Sequence, residues 1–192
     1  MILFAKRFCL LWLFFGLGMV AVFPKTNIYG GLSLGYGFNI KTYKIAQEKL
    51  TSAQSITTSP LVLFQFPIYQ NVFVETGAGA QFIFSKGQIG LSSYTSRSLK
   101  FYLPLRLGYS LNDSYDASLG VSIQNNKDIE FLHIAGSYNL RYDMTLQFSY
   151  NLGGNWLFYA GASSNIGLPA VYYMNLQRFR TYAGVYYRFS SR

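Results

Sequence analysis

The segment RFRTYAGVYYRF, residues 178–189, alternates between two kinds of side chain. One set of alternate positions is apolar or aromatic and ends in Tyr187 and Phe189, whereas the other carries three arginines, two tyrosines and a glycine. Successive side chains of a β-strand point to opposite faces of the sheet. The segment is therefore predicted to be a strand with one apolar face and one polar, basic face.

The same alternation recurs through the rest of the chain and predicts seven more strands. They are expected at about residues 27–40, 59–69, 72–84, 98–111, 115–124, 138–150 and 156–165. Short turns are predicted between the second and third, the fourth and fifth, and the sixth and seventh strands. The polar segments 41–59 and 85–97 are interpreted as long loops. Long loops at one end and short turns at the other are typical of bacterial membrane-spanning barrels. Pro67 and Pro104 are each expected to mark a bulge or a break in strand pairing.

The composition favours a barrel that faces lipid. Charged residues make up 12% of the chain, against about 25% in an average soluble protein. Aromatic residues make up 19%, and Trp and Tyr are enriched where protein meets the membrane–water interface. Bulky Leu and Phe side chains are expected to face outward, with Gly, Ser, Tyr and Gln inside. The alternative is a secreted soluble barrel that binds an apolar ligand.

The N-terminal segment has the features of a secretory signal. Lys6 and Arg7 precede an almost unbroken apolar run from Phe8 to Val22, which is short for a membrane-spanning helix. We expect a cleaved signal peptide at 1–22 and one barrel domain at 23–192; the alternative is a retained membrane anchor. Since Cys9 is the one cysteine of the chain, no disulfide or thiol chemistry is expected in the mature protein.

The formal net charge of +9 raises the question of an anionic partner. No nucleic-acid-binding motif is present, and a secretory signal argues against a location where the protein would meet nucleic acid. Anionic lipid headgroups are the more suitable counterpart. The loop residues expected to contact lipopolysaccharide phosphates are Lys41, Lys44, Lys49, Lys86 and Arg97; ordinary solvated loops are the alternative.

The signal segment, the alternating strands and three short motifs carry a family resemblance. The motifs are FPIYQN at 66–71, LPLRLGY at 103–109 and the terminal GVYYRF at 184–189. With these features the chain resembles the small outer-membrane β-barrel proteins known as the "porin family" or PorT-like proteins. The resemblance implies an all-β fold: an eight-stranded antiparallel up-and-down transmembrane β-barrel in a Gram-negative outer membrane. It also implies the barrel-insertion machinery as a partner, with Phe189 as the C-terminal barrel signal.

Eight charged residues fall on the inward-facing side of the predicted strands. Because an eight-stranded barrel is just wide enough to be filled by side chains, we expect them to form a paired lumen network. The alternative is a narrow, positive conduit that favours anions. The eight are Glu75, Lys100, Arg106, Asp116, Arg141, Asp143, Arg180 and Arg188.

His133 is the one histidine of the chain, with Glu130 and Ser137 close in sequence. A lipid-modifying enzyme would need such a histidine beside a nucleophile, but a loop histidine without a chemical role is the favoured interpretation. No metal-ligand set is evident, and no cofactor is expected. The sequence thus predicts a non-enzymatic outer-membrane barrel with a structural or envelope role, or one whose loops bind an unknown surface or periplasmic protein.

Overall fold

The described part of the chain consists of β-strands and the short turns between them. A computed structural model describes residues 26–39, 43–45, 48–89, 92–126, 139–165 and 178–190. Within these residues no helix is long and apolar enough to cross a membrane. The predicted signal peptide at 1–22 lies outside the described residues. The strands are β1 Asn27–Asn39, β2 Tyr43–Ile45, β3 Glu48–Tyr69, β4 Val72–Ile89, β5 Ser92–Ser110, β6 Tyr115–Asn126, β7 Asn139–Gly153, β8 Trp156–Asn165 and β9 Arg178–Ser190.

Eight of these strands close into an antiparallel barrel. From β3 to β9 each strand pairs with the next along the chain, and β1 pairs with both β3 and β9. Phe38 of β1, for example, lies opposite Gln54 on one side and Phe179 on the other. The short β2 forms a hairpin with the start of β3. The prediction of an eight-stranded up-and-down barrel is confirmed.

The barrel has an apolar outside and a polar inside, in the parity that the sequence predicts. Leu32, Leu107 and Phe148 stand exposed on the outside, whereas Gln81, Lys100 and Gln147 are buried inside. Among the described barrel strands, no Asp, Glu, Lys or Arg occupies an outward position between the turns and the level of Phe84 and Leu99. Four outward positions are buried and do not contribute to the exposed surface: Phe64, Phe66, Thr76 and Leu103.

Short turns connect the strands at one end, called the turn end below. Gln70 and Asn71 join β3 to β4, residues 111–114 join β5 to β6, and residues 154 and 155 join β7 to β8. Asn112 Oδ1 accepts hydrogen bonds from the amides of Ser114 and Tyr115, at 2.8 and 3.0 Å. The backbone of Gly153 and Gly154 has φ angles of 99° and 59°, a region that glycine enters without steric cost. The opposite end is called the loop end.

Two predicted loops are wrong, because three strands continue beyond the barrel. Residues 48–59 belong to β3, while most of 85–97 belongs to β4 and β5. In this region Leu50 pairs with Ile89, and Ile89 pairs with Ser92. A backbone ladder needs no apolar face to continue, and where polar residues occupy both faces the period-two signal is lost. We call residues 48–53, 87–89 and 92–94, which lie beyond the last pair between β1 and β3, the β3–β5 extension.

The two prolines interrupt strand pairing as predicted. The register between β3 and β4 shifts between Pro67 and Tyr69. Between β4 and β5, pairing is interrupted between the Thr76–Leu105 and Gly79–Tyr102 pairs, and Pro104 lies in this interruption. Proline has no amide hydrogen to donate to the ladder, so each break falls where a donor is missing.

Candidate functional site in the barrel lumen

A buried ion pair lies at the centre of the lumen. Arg106 Nε donates to Glu75 Oε2 at 2.8 Å, and both side chains are nearly inaccessible to solvent. Glu75 lies directly opposite Arg106 in the ladder between β4 and β5. Arg106 Nη1 donates to Gln147 Oε1 at 2.8 Å, and the Tyr186 hydroxyl reaches the same oxygen at 3.4 Å. Buried charges are tolerated where they are paired and hydrogen-bonded, and this arrangement meets both conditions.

An aromatic and aliphatic plug fills the lumen beside the ion pair. The rings of Tyr159 and Tyr186 stack with centroids 3.9 Å apart and an interplanar angle of 10°. Tyr186 lies across Gly31, where an added Cβ would come within 2.1 Å of its Cδ1 atom. Gly31 is therefore needed for the ring to lie flat. The plug is defined by Tyr29, Leu61, Leu63, Tyr102, Leu157, Tyr159 and Tyr186.

A second group of polar side chains lies toward the loop end. Arg180 Nη1 donates to Gln81 Oε1 at 2.7 Å, so β9 is joined across the lumen to β4. Gln124 Nε2 donates to Asp143 Oδ2 at 2.6 Å, which links β6 to β7. Lys100 is 2% exposed and interacts with neighbouring groups. The lumen is thus crossed by polar contacts on this side of the plug as well.

The turn end opens into a polar vestibule of about 340 Å³. Gln65 Oε1 accepts from the Tyr29 hydroxyl at 2.9 Å and from Asn27 Nδ2 at 3.0 Å. Arg188 Nη2 donates to the carbonyl of Gly154 at 3.1 Å, which fastens the end of β9 to the neighbouring turn. Asp116 is half-buried in the same vestibule. The plug residues Tyr29 and Leu157 form its floor.

The structure places the predicted lumen residues in two regions. Glu75, Lys100, Arg106, Asp143 and Arg180 are buried within the barrel, and Asp116 and Arg188 line the vestibule. Arg141 lies in β7 opposite Gln124, but its side chain is outside the described part of the structure. That these residues act as one functional network stays a prediction.

Several residues named from the sequence lie elsewhere. Phe189 is 67% exposed, with its ring against Gly30 on the outer surface; its role as an insertion signal stays a prediction. Arg97 is exposed near the loop end, with its guanidinium 5.9 Å from the centre of the Phe84 ring. Lys86 is exposed beside it on β4. His133 and Lys41, like the side chains of Lys44 and Lys49, lie outside what the structure describes.

The sequence predicts tyrosine and glutamine inside the barrel but not the contacts that they make there. The inward parity of Tyr29, Tyr102, Tyr159 and Tyr186 gives their face, whereas their packing into one plug depends on contacts across the lumen. Gln81 and Gln147 share that parity and complete the contacts of Arg180 and Arg106. The two glutamines therefore satisfy part of the hydrogen-bonding capacity of these guanidinium groups. Within the described residues, no group of three or more His, Cys, Asp or Glu side chains could hold a metal ion.

Comparisons with known proteins show likeness in fold. No protein-family model matches the chain, and no curated protein matches it. Among solved structures, the outer membrane protein OprG from Pseudomonas aeruginosa is 15% identical, with 85% of this chain and 93% of that chain covered and a TM-score of 0.44. The outer membrane protein Ail from Yersinia pestis is 14% identical, with coverages of 83% and 99% and a TM-score of 0.39. A de novo designed transmembrane β-barrel is 9% identical, with coverages of 84% and 94% and a TM-score of 0.44.

Proposed function

We propose that the protein is an integral outer-membrane barrel without enzymatic activity, whose lumen is closed and whose role is exerted from the loop end. The observation that carries this proposal is the absence of charge from the outer face of the described strands between the turns and the level of Phe84 and Leu99. A Lys or Arg side chain at the middle of a bilayer destabilises a barrel by about 2–4 kcal/mol. A soluble barrel would be expected to carry charged side chains on its outside, where water solvates them, and not in its lumen.

The distribution of aromatic side chains supports the same proposal. At the turn end, Tyr115 and Tyr150 pack with ring centroids 4.8 Å apart, and Trp156 packs edge-on against Tyr187 at 5.0 Å. Tyr69 and Tyr109 stand exposed at the same end. Rings with an apolar body and a polar tip prefer the membrane interface. In bacterial barrels the short turns face the periplasm, so the loop end would face outward.

The plug argues for a structural or binding role rather than transport. Tyr159, Tyr186 and the Arg106–Glu75 pair occupy the width of a barrel that side chains can just fill. The β3–β5 extension projects beyond the charge-free zone and would be available in water to a surface partner.

Lipopolysaccharide is the partner for which the described residues offer a contact. Lys86 and Arg97 follow immediately beyond the apolar zone, at the depth where phosphate groups of the outer leaflet would lie. If they bind phosphate, a K86Q/R97Q variant should gain less thermal stability from added lipopolysaccharide than the wild type does. An equal gain in both proteins would remove these two residues from the proposal.

Fractionation tests the location. The full chain, expressed in a Gram-negative host, should be recovered in the outer-membrane fraction and should migrate on SDS gels at different positions before and after boiling. Recovery in the soluble fraction, with a single heat-independent band, would overturn the proposal in favour of a secreted soluble barrel.

A further inference from the structure

A small cavity lies in the lumen between the plug and the loop-end polar group. Its volume is about 40 Å³, and residues from all eight barrel strands line it. The plug residues Tyr102, Tyr159 and Tyr186 form its wall on one side, and Arg180 and Gln124 lie toward the other. About 10–15 Å³ of such space accommodates one water-sized molecule. The lumen cavity can therefore hold a small ion together with one or two waters.

Three hydrogen-bonding atoms in the wall of the lumen cavity have no partner within the described part of the chain. They are Arg106 Nη2, Ser122 Oγ and Thr145 Oγ1, each buried and without a hydrogen bond to the described part of the chain. The three residues are 4–6% exposed and lie on the neighbouring strands β5, β6 and β7. Gly120 pairs with both Arg106 and Thr145 and puts no side chain between them. A buried donor left unsatisfied costs about 1–3 kcal/mol, so the three atoms together call for a bound acceptor.

The net charge of the buried lumen side chains indicates which kind of hydrogen-bond acceptor would bind in the lumen cavity. The buried Lys, Arg, Asp and Glu side chains of the described lumen are Lys100, Arg106, Arg180, Glu75 and Asp143, so three formal positive charges accompany two negative ones. The lining of the lumen cavity includes two guanidinium groups and, among the described residues, no carboxylate. Glu75 bonds to Arg106 Nε and Asp143 accepts from Gln124. Buried charge in excess is costly unless it is compensated.

We propose that the lumen cavity is a binding site for one monovalent anion of halide size, with chloride as the physiological class of ligand. Arg106 Nη2 can only donate, and the Ser122 and Thr145 hydroxyls can both donate to the same anion. One such ion would neutralise the excess positive charge. This inference goes beyond the proposed function, because a lipid-embedded barrel does not require an ion in its lumen.

Bromide provides a direct test on the wild-type protein. Crystals of the refolded barrel grown or soaked in sodium bromide should show an anomalous peak in the lumen cavity within hydrogen-bonding distance of Arg106 Nη2. Electron density for ordered water without an anomalous peak would overturn the proposal. This measurement needs no variant and is independent of whether the protein is recovered in the outer membrane.

A solution measurement tests the donors. At constant ionic strength, replacing gluconate by chloride should raise the thermal unfolding midpoint of the wild type in a saturable manner. The S122A/T145V variant should bind chloride about tenfold more weakly or worse, since it lacks two donors to a charged acceptor. S118A, a buried serine of β6 outside the lining, is the matched control and should behave as the wild type. Equal midpoints in chloride and gluconate for the wild type would contradict the proposal even if the double variant failed to fold.

Discussion

At the scale of single residues, buried charges of the lumen bond to polar groups on other strands, as in Arg106–Glu75, Arg180–Gln81 and Asp143–Gln124. Both side chains of the Arg106–Glu75 pair are buried from bulk solvent, so the two charges lose hydration that only close geometry can replace. The contact at 2.8 Å and the second bond to Gln147 provide that geometry. Removing one partner should therefore cost more than removing both.

Glu75→Ala is expected to lower the free energy of unfolding by roughly 3–5 kcal/mol, because it leaves the Arg106 guanidinium buried without its counter-charge. Urea unfolding in lipid vesicles, followed by tryptophan fluorescence, measures the loss. The E75A/R106M double variant removes both charges and should recover most of that stability. A double variant as unstable as E75A would show that packing, not charge pairing, is the main contribution of these residues.

The inward direction of these charges could be predicted from the sequence, whereas their partners could not. Parity along one strand gives the face of Arg106 or Arg180 from local residues alone. Which side chain each one meets depends on the register between strands and on contacts across the lumen. The bond from Arg180 to Gln81 joins residues that are 99 positions apart, and no local pattern encodes such a pairing.

At the scale of elements, the β3–β5 extension is the feature that the sequence did not predict. The sequence predicts loops at 41–59 and 85–97 because polar residues interrupt the period-two pattern there, whereas strand pairing needs only backbone groups. Pairing between β5 and β6 begins at Tyr102. From Ser92 to Phe101, β5 therefore pairs with β4 alone among the described strands.

This one-sided pairing predicts an alternating pattern of amide hydrogen exchange. Between residues 93 and 100, amides that point toward β4 should be protected, and those that point away should exchange rapidly. Between residues 103 and 109, where β5 has neighbours on both sides, protection should extend to amides of both orientations except at Pro104 and its partners. NMR-detected exchange in detergent micelles gives both patterns in one experiment. Uniform protection over 93–100 would mean that this edge is covered in solution.

At the scale of the whole molecule, the apolar exterior and the filled interior act together. In the proposed membrane barrel, the outer face contacts lipid and the plug closes the lumen. Successive residues of each strand face alternately outward and inward. A substitution at one position therefore changes either the outer face or the lumen, but not both.

Leu146 and Leu152 provide a matched pair for the lipid-facing surface. Both are exposed leucines on the same face of β7, with Leu146 in the middle of the strand and Leu152 near the turn end. Leu146→Arg is expected to cost about 2–4 kcal/mol of folding stability, but Leu152→Arg only about 0–1 kcal/mol, because the penalty falls toward the interface. Unfolding titrations in phospholipid vesicles test the difference. Equal costs at both positions would contradict a bilayer centred on the barrel.

Planar-bilayer recordings test the plug. The wild type is expected to give no stable ion conductance, whereas Y159G/Y186G, which removes the two stacked rings, should conduct in small steps. L61A, which shortens one aliphatic member of the plug and leaves the rings in place, is the control and should remain silent. Steady conductance by the wild type would show that the lumen is open despite these contacts.

The pairing of β1 with both β3 and β9 has a consequence for how the chain matures. β9 spans 13 residues, and until it is in place β1 and β8 each present a bare row of amides and carbonyls that lipid cannot solvate. A chain that ends before Arg178 therefore forms not a smaller barrel but an open sheet with two unpaired edge strands. Under the proposed function, β9 must therefore be present before the barrel can enter the bilayer, and a chain that lacks it should not be recovered in the outer-membrane fraction.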